Sequence, residues 1–291
     1  MKDMPLVSIY IPTYNRLQLL TRALDSVRKQ SYKNIEIIVV DDNSGDGTQD
    51  YLAGVALLDH RIKYILKEVN SGACTSRNIA IEQATGLYIT GLDDDDYFLK
   101  DRISYFIQNR HELEHYSFLY TNNLTINKNH KYKINRYLNF LLPKEVTSQD
   151  ILFKNIIGNQ CFTYTKRMKQ VGGFTADMPA WQDLDLFYRL LIRTSYNKAK
   201  LLNKSLYVQD TSHDLTRITS GNKDKIRKAY DLFCIRNNVA GKYKSILEAQ
   251  LVSYGLKVKS SVFITRFFSH ARLYFYVVDV FLIIKNQKNK L

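Results

Sequence analysis

Four adjacent aspartates, Asp93, Asp94, Asp95 and Asp96, directly follow the apolar run of residues 87–92. Like charges this close together repel one another, and no ordinary turn needs four carboxylates in a row. A divalent cation would neutralise the cluster, and the end of a strand in an α/β sheet is where such proteins bind ligands. The run therefore predicts a Mg²⁺ or Mn²⁺ site whose usual guest is a diphosphate; a solvated acidic turn is the alternative.

Strand-like and helix-like segments alternate up to about residue 120. Short apolar runs rich in β-branched residues predict strands, and apolar residues at helical spacing predict the helices between them. The predicted strands span residues 6–11, 35–40, 62–66 and 87–92, and a first helix is predicted to begin near Leu17. Because the two types alternate, we predict an α/β fold with a mostly parallel, Rossmann-like central sheet.

Two further carboxylates, Asp41 and Asp42, follow the second predicted strand. Parallel strands end at a common edge of the sheet, so we expect these groups on the same side as the four-aspartate run. One acidic residue after an early strand commonly binds the ribose or base of a nucleotide, which predicts that role for Asp42. A helix or turn cap is the alternative for Asp42.

Asn70, Ser71 and Gly72 precede a helix predicted over residues 73–84, and Arg77 lies about one turn into it. Backbone N–H groups at a helix start can face an anion, and an arginine nearby adds positive charge. Taken alone, however, a plain capped helix with a surface arginine explains the segment better.

The pattern is less regular after residue 120. Residues 116–120 predict another strand, residues 127–144 a polar and aromatic loop, and residues 162–164 an edge strand. A helix with one apolar side is predicted over residues 181–192.

Asp183 lies near the start of this last helix, directly after Trp181 and Gln182. A carboxylate in a sheltered pocket can accept the proton of a hydroxyl, so Asp183 is a candidate general base. Asp185 competes for that role from a different helix face, and an ordinary first-turn aspartate remains the alternative.

The composition bounds the class of protein. A hydrophobic fraction of 45% and only 4 prolines in 291 residues argue against wholesale disorder. Cys74, Cys161 and Cys234 form neither a zinc pattern nor a disulfide framework, which favours a reducing cytoplasm. The N-terminal residues show no charged-then-apolar export pattern, which agrees with that expectation.

The positive charge is concentrated near the C-terminus, where residues 222–291 contain 14 Lys and Arg against 4 Asp and Glu. The apolar stretch of residues 273–284 is too short to span a bilayer, is interrupted by Asp279 and is followed by lysines. It predicts an interfacial amphipathic segment on an anionic membrane, with a helix packed on the rest of the protein as the alternative. If the segment is only an anchor, we expect catalysis on a water-soluble acceptor to survive removal of residues 262–291.

No nucleic-acid motif accompanies the basic charge of the C-terminal region, so no nucleic-acid partner is predicted.

Several motifs together form a more specific signal than any one of them. They are I-Y-I-P-T-Y-N at 9–15, I-V-V-D-D-N-S-G-D-G-T at 38–48, N-S-G at 70–72 with Arg77-Asn78, residues 86–96, V-G-G-F at 171–174 and W-Q-D-L-D-L at 181–186. With these motifs in this order, residues 5 to about 220 resemble the bacterial family 2 glycosyltransferases, which have the GT-A fold.

The resemblance implies roles for the acidic run. Asp93 and Asp95 match the first and last carboxylates of the family's metal-binding D-x-D, so Asp95 is implied as a direct ligand of Mn²⁺ or Mg²⁺ and Asp93 as its partner. Asp96 extends the motif and is implied to orient the donor sugar. The implied nucleotide-sugar pocket comprises Pro12, Tyr14, Asp42, Arg77, Asp93, Asp94 and Asp96.

Asp183 matches the family's catalytic base. The residue before it departs from the family pattern, because the family commonly has Glu where this chain has Gln182. That change removes a charge and keeps the base. His213 matches a region where relatives often carry a histidine near the diphosphate, which implies a further metal or diphosphate contact.

The implied reaction is inverting transfer of a hexose, glucose or galactose, from a UDP-sugar, with formation of a β linkage. The implied acceptor is a sugar hydroxyl on a lipid diphosphate of the undecaprenyl-diphosphate GlcNAc or GalNAc type, in O-antigen or polysaccharide synthesis. We therefore predict a cytoplasmic enzyme, peripheral at the inner face of the plasma membrane. Its GT-A domain is predicted over residues 1–221, divided into donor and acceptor halves near residue 120, with a helical, basic, membrane-associating tail over 222–291.

Two other functions use similar residues. A metal-dependent nucleotidyltransferase also needs carboxylates and a metal, but it releases diphosphate rather than a nucleoside diphosphate. A non-catalytic sugar-nucleotide-binding protein is disfavoured because Asp42, Asp95 and Asp183 are all present.

Overall fold

The computed structural model describes residues 4–126, 132–133, 142–158, 160–212, 222–270 and 272–288. The strands of these ranges are β1 Val7–Thr13, β2 Ile35–Asp41, β3 Ile62–Leu66, β4 Tyr88–Gly91, β5 Tyr97–Phe98, β6 Leu119–Ile126, β7 Tyr132–Lys133, β8 Glu145–Thr147, β9 Phe162–Tyr164 and β10 Lys198–Asp210. The α-helices are α1 Leu17–Arg28, α2 Thr48–Leu58, α3 Ala73–Gln83, α4 Arg102–Gln108, α5 Ser148–Phe153, α6 Thr165–Gln170, α7 Gln182–Ile192, α8 Lys223–Arg236, α9 Gly241–Glu248, α10 Ser260–Phe267 and α11 Leu273–Lys288.

Within the described ranges, the strands form one mixed sheet in the order β3-β2-β1-β4-β9-β6-β10-β5, with β7 beside β6 and β8 beside β10. The four strands β3, β2, β1 and β4 pair in parallel, as the alternation of strands and helices predicts. Their carboxyl ends therefore lie along one edge of the sheet, and the acidic segments after β2 and β4 follow there.

Both faces of the sheet are covered by apolar side chains. Successive residues of a strand point to opposite faces, so Ile37 and Val39 of β2 pack with α1 and α2 while Ile38 and Val40 pack on the other side with α3 and the later helices. All seven residues of β1 and of β2 are buried. This explains why these strands read as nearly continuous apolar runs in the sequence.

The prediction of an edge strand at residues 162–164 is wrong. β9 lies inside the sheet, antiparallel to β4 on one side and to β6 on the other. The Phe162 ring is fully buried and stacks on Phe106 at 4.7 Å and on Tyr88 at 5.1 Å. Three residues are too few to show an alternation in the sequence, so only the packing reveals this position.

The strand predicted at residues 116–120 begins three residues later and extends to Ile126. The loop predicted over residues 127–144 falls largely outside the described residues, as does His213.

The C-terminal helices pack against the rest of the protein. Tyr274, Phe275, Val278 and Leu282 of α11 belong to the same hydrophobic core as the residues of α5 and α7. The inner side of the apolar stretch at residues 273–284 is therefore packed on the rest of the protein, as the alternative to a membrane-bound segment predicted. Among the described residues, no helix has both the length and the apolarity needed to cross a membrane. The domain boundary at residue 221 stays a prediction.

Candidate donor and catalytic site

A cavity of about 430 Å³ opens at the edge of the sheet where β1, β2 and β4 end. It is also bordered by the segment that leads into α7. The structure thus brings together residues from five separate parts of the sequence, including every predicted site residue within the described ranges. They are Pro12, Tyr14, Asp42, Arg77, Asp93, Asp94, Asp95, Asp96 and Asp183.

Asp42 is held by the segment that precedes α3. The Ser71 backbone N–H donates to its Oδ1 at 3.0 Å, and the Gly72 N–H donates to its Oδ2 at 2.8 Å. Lys67, directly after β3, forms an ion pair with the same carboxylate. The anion that faces these amides is therefore a side chain of the protein, and it fixes the β2 loop against the start of α3.

Arg77 is a buried residue of the site and not a surface arginine. Its guanidinium donates to Asp93 Oδ1 at 2.8 Å and to Gln182 Oε1 at 3.3 Å. The guanidinium carbon also lies 5.0 Å from the centre of the Phe174 ring. Arg77 thus connects the acidic run after β4 to the residue just before Asp183.

Burial and hydrogen bonds hold Asp94 and Asp96 in the fold. Asp94 accepts from the Thr13 hydroxyl at 2.9 Å and from Arg16 at 3.0 Å. Burial raises the pKa of Asp94 to about 6, against the opposing charge of Arg16. Asp96 accepts from the Tyr207 hydroxyl at 2.7 Å and from the Asp210 backbone N–H at 2.9 Å, and burial raises its pKa well above the usual range.

Asp93 and Asp95 are more exposed to the cavity. Their side chains are 18% and 14% exposed, compared with 8% for Asp94. Asp93 accepts from Gln160 as well as from Arg77, and Asp95 accepts from Arg16 at 3.3 Å. All four carboxylates border the cavity, but Asp94 and Asp96 are buried whereas Asp93 and Asp95 are partly exposed.

The chemistry of Asp93 and Asp95 fits Mg²⁺ or Mn²⁺. Mg²⁺ is usually held by one or two carboxylates together with phosphate oxygens and water, which this pair would leave room for. In the part of the chain that the structure describes, no group of three or more acidic, histidine or cysteine side chains is placed to hold a metal.

Asp183 and Asp185 lie in different surroundings although they share a helix. Asp185 is fully buried and accepts from Arg189 at 2.8 Å, from Thr175 at 2.6 Å and from Asn237 at 2.9 Å. Asp183 lines the cavity instead. Burial raises the pKa of Asp183 to about 7, with the Arg77 cation opposing and the Asp93 charge adding to the shift. This pKa suits a group that must accept a proton near neutral pH.

The backbone at Trp181 directs this arrangement. Trp181 precedes α7 with a left-handed φ of 60°, which is rare for a bulky residue and turns the chain sharply before Gln182 and Asp183. Its ring lies 6.4 Å from that of Tyr230 and 6.2 Å from that of Tyr254. Residues of the C-terminal region thus support the turn that presents Asp183.

Sequence reasoning missed several residues of the site. Arg16 follows the P-T-Y-N segment and Lys67 follows β3, so both lie at strand ends where a closer reading of position finds them. Gln160 and Tyr207 carry no such signal. Gln160 lies two residues before β9, and Tyr207 lies in β10. Both reach the site only because of the order of the strands in the sheet.

Comparison with known proteins agrees with this geometry. The sequence profile described as Glycosyl transferase family 2 matches residues 8–169. The chain is 38% identical over 252 residues to the putative colanic acid biosynthesis glycosyl transferase WcaA of Escherichia coli K12, covering 81% of this chain and 88% of WcaA. This chain belongs to glycosyl transferase family 2.

This family 2 glycosyltransferase is also similar to a second curated enzyme in sequence and to a solved structure in fold. The GalNAc(5)-diNAcBac-PP-undecaprenol β-1,3-glucosyltransferase of Campylobacter jejuni is 40% identical over 110 residues, 38% of this chain and 36% of that protein. The crystal structure of S. aureus TarS 1–349 in complex with UDP-GlcNAc superimposes with a TM-score of 0.64 at 19% identity, covering 97% of this chain and 88% of TarS 1–349. The predicted GT-A type of fold is confirmed.

Proposed function

We propose that this glycosyltransferase transfers a hexose from a UDP-sugar to a sugar hydroxyl of a lipid-diphosphate-linked acceptor, with inversion at the anomeric carbon. One observation carries the proposal. The same cavity is lined by the acidic run after β4 and by Asp183, whose pKa is raised to about 7. The carboxylates proposed to hold a metal and the proposed proton acceptor thus border the same cavity, which is the arrangement that the proposed sugar transfer needs.

The proposed binding site for the nucleotide of the donor is the side of the cavity lined by Pro12, Tyr14 and Asp42. Asp42 has a fixed orientation because two backbone N–H groups and Lys67 hold it. The complex of TarS with UDP-GlcNAc, on the same fold, supports a UDP-sugar as the donor. Glucose and galactose are the proposed sugars, and the glucosyltransferase relative of Campylobacter jejuni favours glucose.

Asp95 and Asp93 are the proposed ligands of Mg²⁺ or Mn²⁺. When bound, the ion supplies positive charge that stabilises the leaving nucleoside diphosphate. Arg77 and Gln160 hold the Asp93 carboxylate in place, and Arg16 lies beside Asp95. These contacts keep both carboxylates oriented toward the cavity.

Asp183 is the proposed general base. The acceptor oxygen attacks the anomeric carbon, the bond from that carbon to the diphosphate oxygen breaks, and the hydroxyl proton passes to the Asp183 carboxylate. Because attack is in line behind the leaving group, the anomeric configuration inverts and an α-linked donor gives a β linkage. Gln182 keeps Arg77 near this carboxylate without adding a second negative charge.

The acceptor class rests on the relatives. One is named for colanic acid biosynthesis and another for transfer to an undecaprenol diphosphate oligosaccharide. We accordingly propose a role in O-antigen or other polysaccharide assembly, at the inner face of the plasma membrane. GlcNAc or GalNAc on undecaprenyl diphosphate is the proposed acceptor terminus.

The deciding experiment is a donor screen with a synthetic lipid-diphosphate N-acetylhexosamine and each UDP-hexose, with Mn²⁺ or Mg²⁺ present. We expect UDP release matched by one added hexose in a β linkage. Release of diphosphate instead would identify a nucleotidyltransferase. Binding of UDP-sugar without transfer to any acceptor would favour a non-catalytic binding protein.

A further inference from the structure

The outward side of α10 and α11 is strongly apolar. Phe268 directly follows α10 and is 82% exposed, and Phe281 in α11 is 64% exposed. The exposed apolar residues recur at helical spacing and so line one side of each helix. We call this surface the outer apolar face; it comprises Ile264, Phe267, Phe268, Val277, Val280, Phe281 and Ile284.

The two helices present this surface as one piece. The ring of Phe267 lies 5.0 Å from that of Tyr276 and 5.5 Å from that of Phe268. Tyr276 immediately precedes Val277, where the exposed stripe of α11 begins. The outer apolar face is therefore continuous from one helix to the next.

The polarity of these helices is reversed relative to an ordinary surface helix, which places charged residues outside. Arg266 and Asp279 are buried and paired at 2.6 Å, and Arg266 also donates to the carbonyl oxygens of Ile246 and Phe153. His270 contacts the other oxygen of Asp279 at 3.0 Å. The polar groups that interrupt the apolar stretch in the sequence thus fasten the helices to the protein and leave apolar side chains outside.

The charged residues of the segment that carries the outer apolar face are almost all positive. From residue 249 to the C-terminus the only acidic residue is Asp279, which is buried, whereas the same segment contains seven Lys and Arg. Lys257, Lys259 and Lys288 are exposed. An apolar surface with cations at its margin is complementary to the interface of a bilayer that contains anionic lipids.

We propose that the outer apolar face docks on an anionic lipid bilayer, with α10 and α11 lying in the plane of the interface. The inference extends the proposed function, because it explains how the enzyme meets a lipid-linked acceptor. It assigns docking to the exposed side of a packed subdomain and not to a separable tail.

The experiment uses the full-length protein and vesicles of phosphatidylglycerol and phosphatidylcholine. The variant F268S/F281S removes two aromatic side chains from the face, and the control L57S/L58S removes two leucines that are 89% and 83% exposed at the end of α2. We expect the face variant to bind vesicles about 100-fold more weakly, because each large apolar side chain buried in the interface contributes about tenfold. The control is expected to bind like the wild type, and vesicles of phosphatidylcholine alone are expected to bind all three proteins weakly.

Equal vesicle binding by F268S/F281S and the wild type would overturn the proposal. A second result would also overturn it: light scattering shows that the wild type is a dimer and F268S/F281S a monomer, while both bind vesicles equally. A second copy of the chain would then cover the outer apolar face. Transfer to a water-soluble acceptor separates this inference from the proposed function: failure of all proteins there would reject the reaction and leave the vesicle result intact. Thermal unfolding checks that the exposed substitutions leave the fold unchanged.

Discussion

At the scale of single residues, this site shows how surroundings divide identical side chains among different roles. Asp183 and Asp185 are two positions apart, yet one lines the cavity and the other is fully buried in a hydrogen-bonded cluster. Within the acidic run, Asp94 and Asp96 are buried and hydrogen-bonded, while Asp93 and Asp95 are partly exposed. The roles therefore follow from partners and burial, and each can be tested separately.

The substitution Asp183→Asn should lower kcat by about 100-fold or more, since general-base catalysis contributes on that scale. UDP-sugar binding, measured by calorimetry, should persist because the side chain keeps its shape. Asp185→Asn serves as the matched control. It should lower the free energy of unfolding, because the Arg189 contact weakens, and leave the kcat of the folded protein nearly unchanged. The opposite pattern would make Asp185 the base.

The pH dependence of transfer provides a second test of Asp183. Burial raises the pKa of this carboxyl to about 7, and only the ionised form accepts a proton. Activity should therefore rise with pH through an ascending limb near pH 7. A profile of kcat/KM against pH measures it, and a flat profile from pH 5 to 8 would contradict the assignment.

The metal prediction concerns Asp95. Asp95→Ala should abolish transfer and weaken Mn²⁺ binding in the presence of UDP, measured by electron paramagnetic resonance, because half of the proposed carboxylate pair is lost. EDTA should inactivate the wild type, and Mn²⁺ or Mg²⁺ should restore it. Asp50→Ala, on the exposed side of α2, is the control and should behave like the wild type. Full activity of the wild type in chelator would exclude this role for the metal.

At the scale of elements, a buried carboxylate ties three strands together at the opposite end of β1 and β2. Glu36 accepts from Ser8 of β1 at 2.6 Å and from the backbone N–H groups of Thr85 and Gly86, just before β4, at 2.7 and 2.9 Å. Burial alone would raise the pKa of Glu36, but hydrogen bonds from Lys63, Ser8 and Thr85 outweigh it and lower the pKa to about 2. The register that aligns the ends of β1, β2 and β4 is thereby fixed.

Glu36→Gln should lower the free energy of unfolding at pH 7 by about 2 kcal/mol, because hydrogen bonds to a buried charged group are lost. A depressed pKa contributes stability that is present above the unfolded value of about 4.5 and is lost as pH falls toward about 2. The difference between variant and wild type should therefore shrink in that window. Urea unfolding at several pH values measures it, with the exposed Glu68→Gln as control; a difference independent of pH would count against the ionised contact.

At the scale of the whole molecule, the C-terminal helices are part of the main core. Phe275 of α11 stacks on Phe153 of α5 at 4.9 Å. Arg266 of α10 donates to the Phe153 carbonyl oxygen, and Arg272 pairs with Asp150 of α5 at 3.3 Å. Removing residues 262–291 would expose this core and leave polar groups of α5 without partners. We therefore no longer expect catalysis to survive this truncation, and we expect the truncated protein to be destabilised.

Asp279→Ala should destabilise the protein by about 3–5 kcal/mol, because it leaves the buried Arg266 without its counter-charge. Asp177→Ala breaks the ion pair to Arg236, in which the side chains are 65% and 36% exposed, and should cost about 1 kcal/mol or less. Denaturant unfolding of both variants measures the difference. Equal effects would mean that the Asp279 pair is not closed off from water.

Much of this protein follows from its sequence alone. Local patterns predict the parallel strands β1 to β4 and the helices between them, since a strand buried on both faces must be apolar throughout and a helix must repeat its apolar residues with the turn. The positions of Asp42 and the acidic run at strand ends also predict that these groups lie along one edge of the sheet. These features depend on neighbours in the chain or on the general rule that parallel strands end at one edge.

Other features were decided only by tertiary structure, because they depend on contacts between residues far apart in the chain. The internal place of β9 comes from the stacking of Phe162 on Phe106 and Tyr88. Gln160 and Tyr207 reach the site through strand order, and the distinction between Asp183 and Asp185 depends on which side of α7 is buried. The sequence shows that Asp279 interrupts an apolar stretch, but only packing against Arg266 turns that charge inward and leaves the apolar side chains outside.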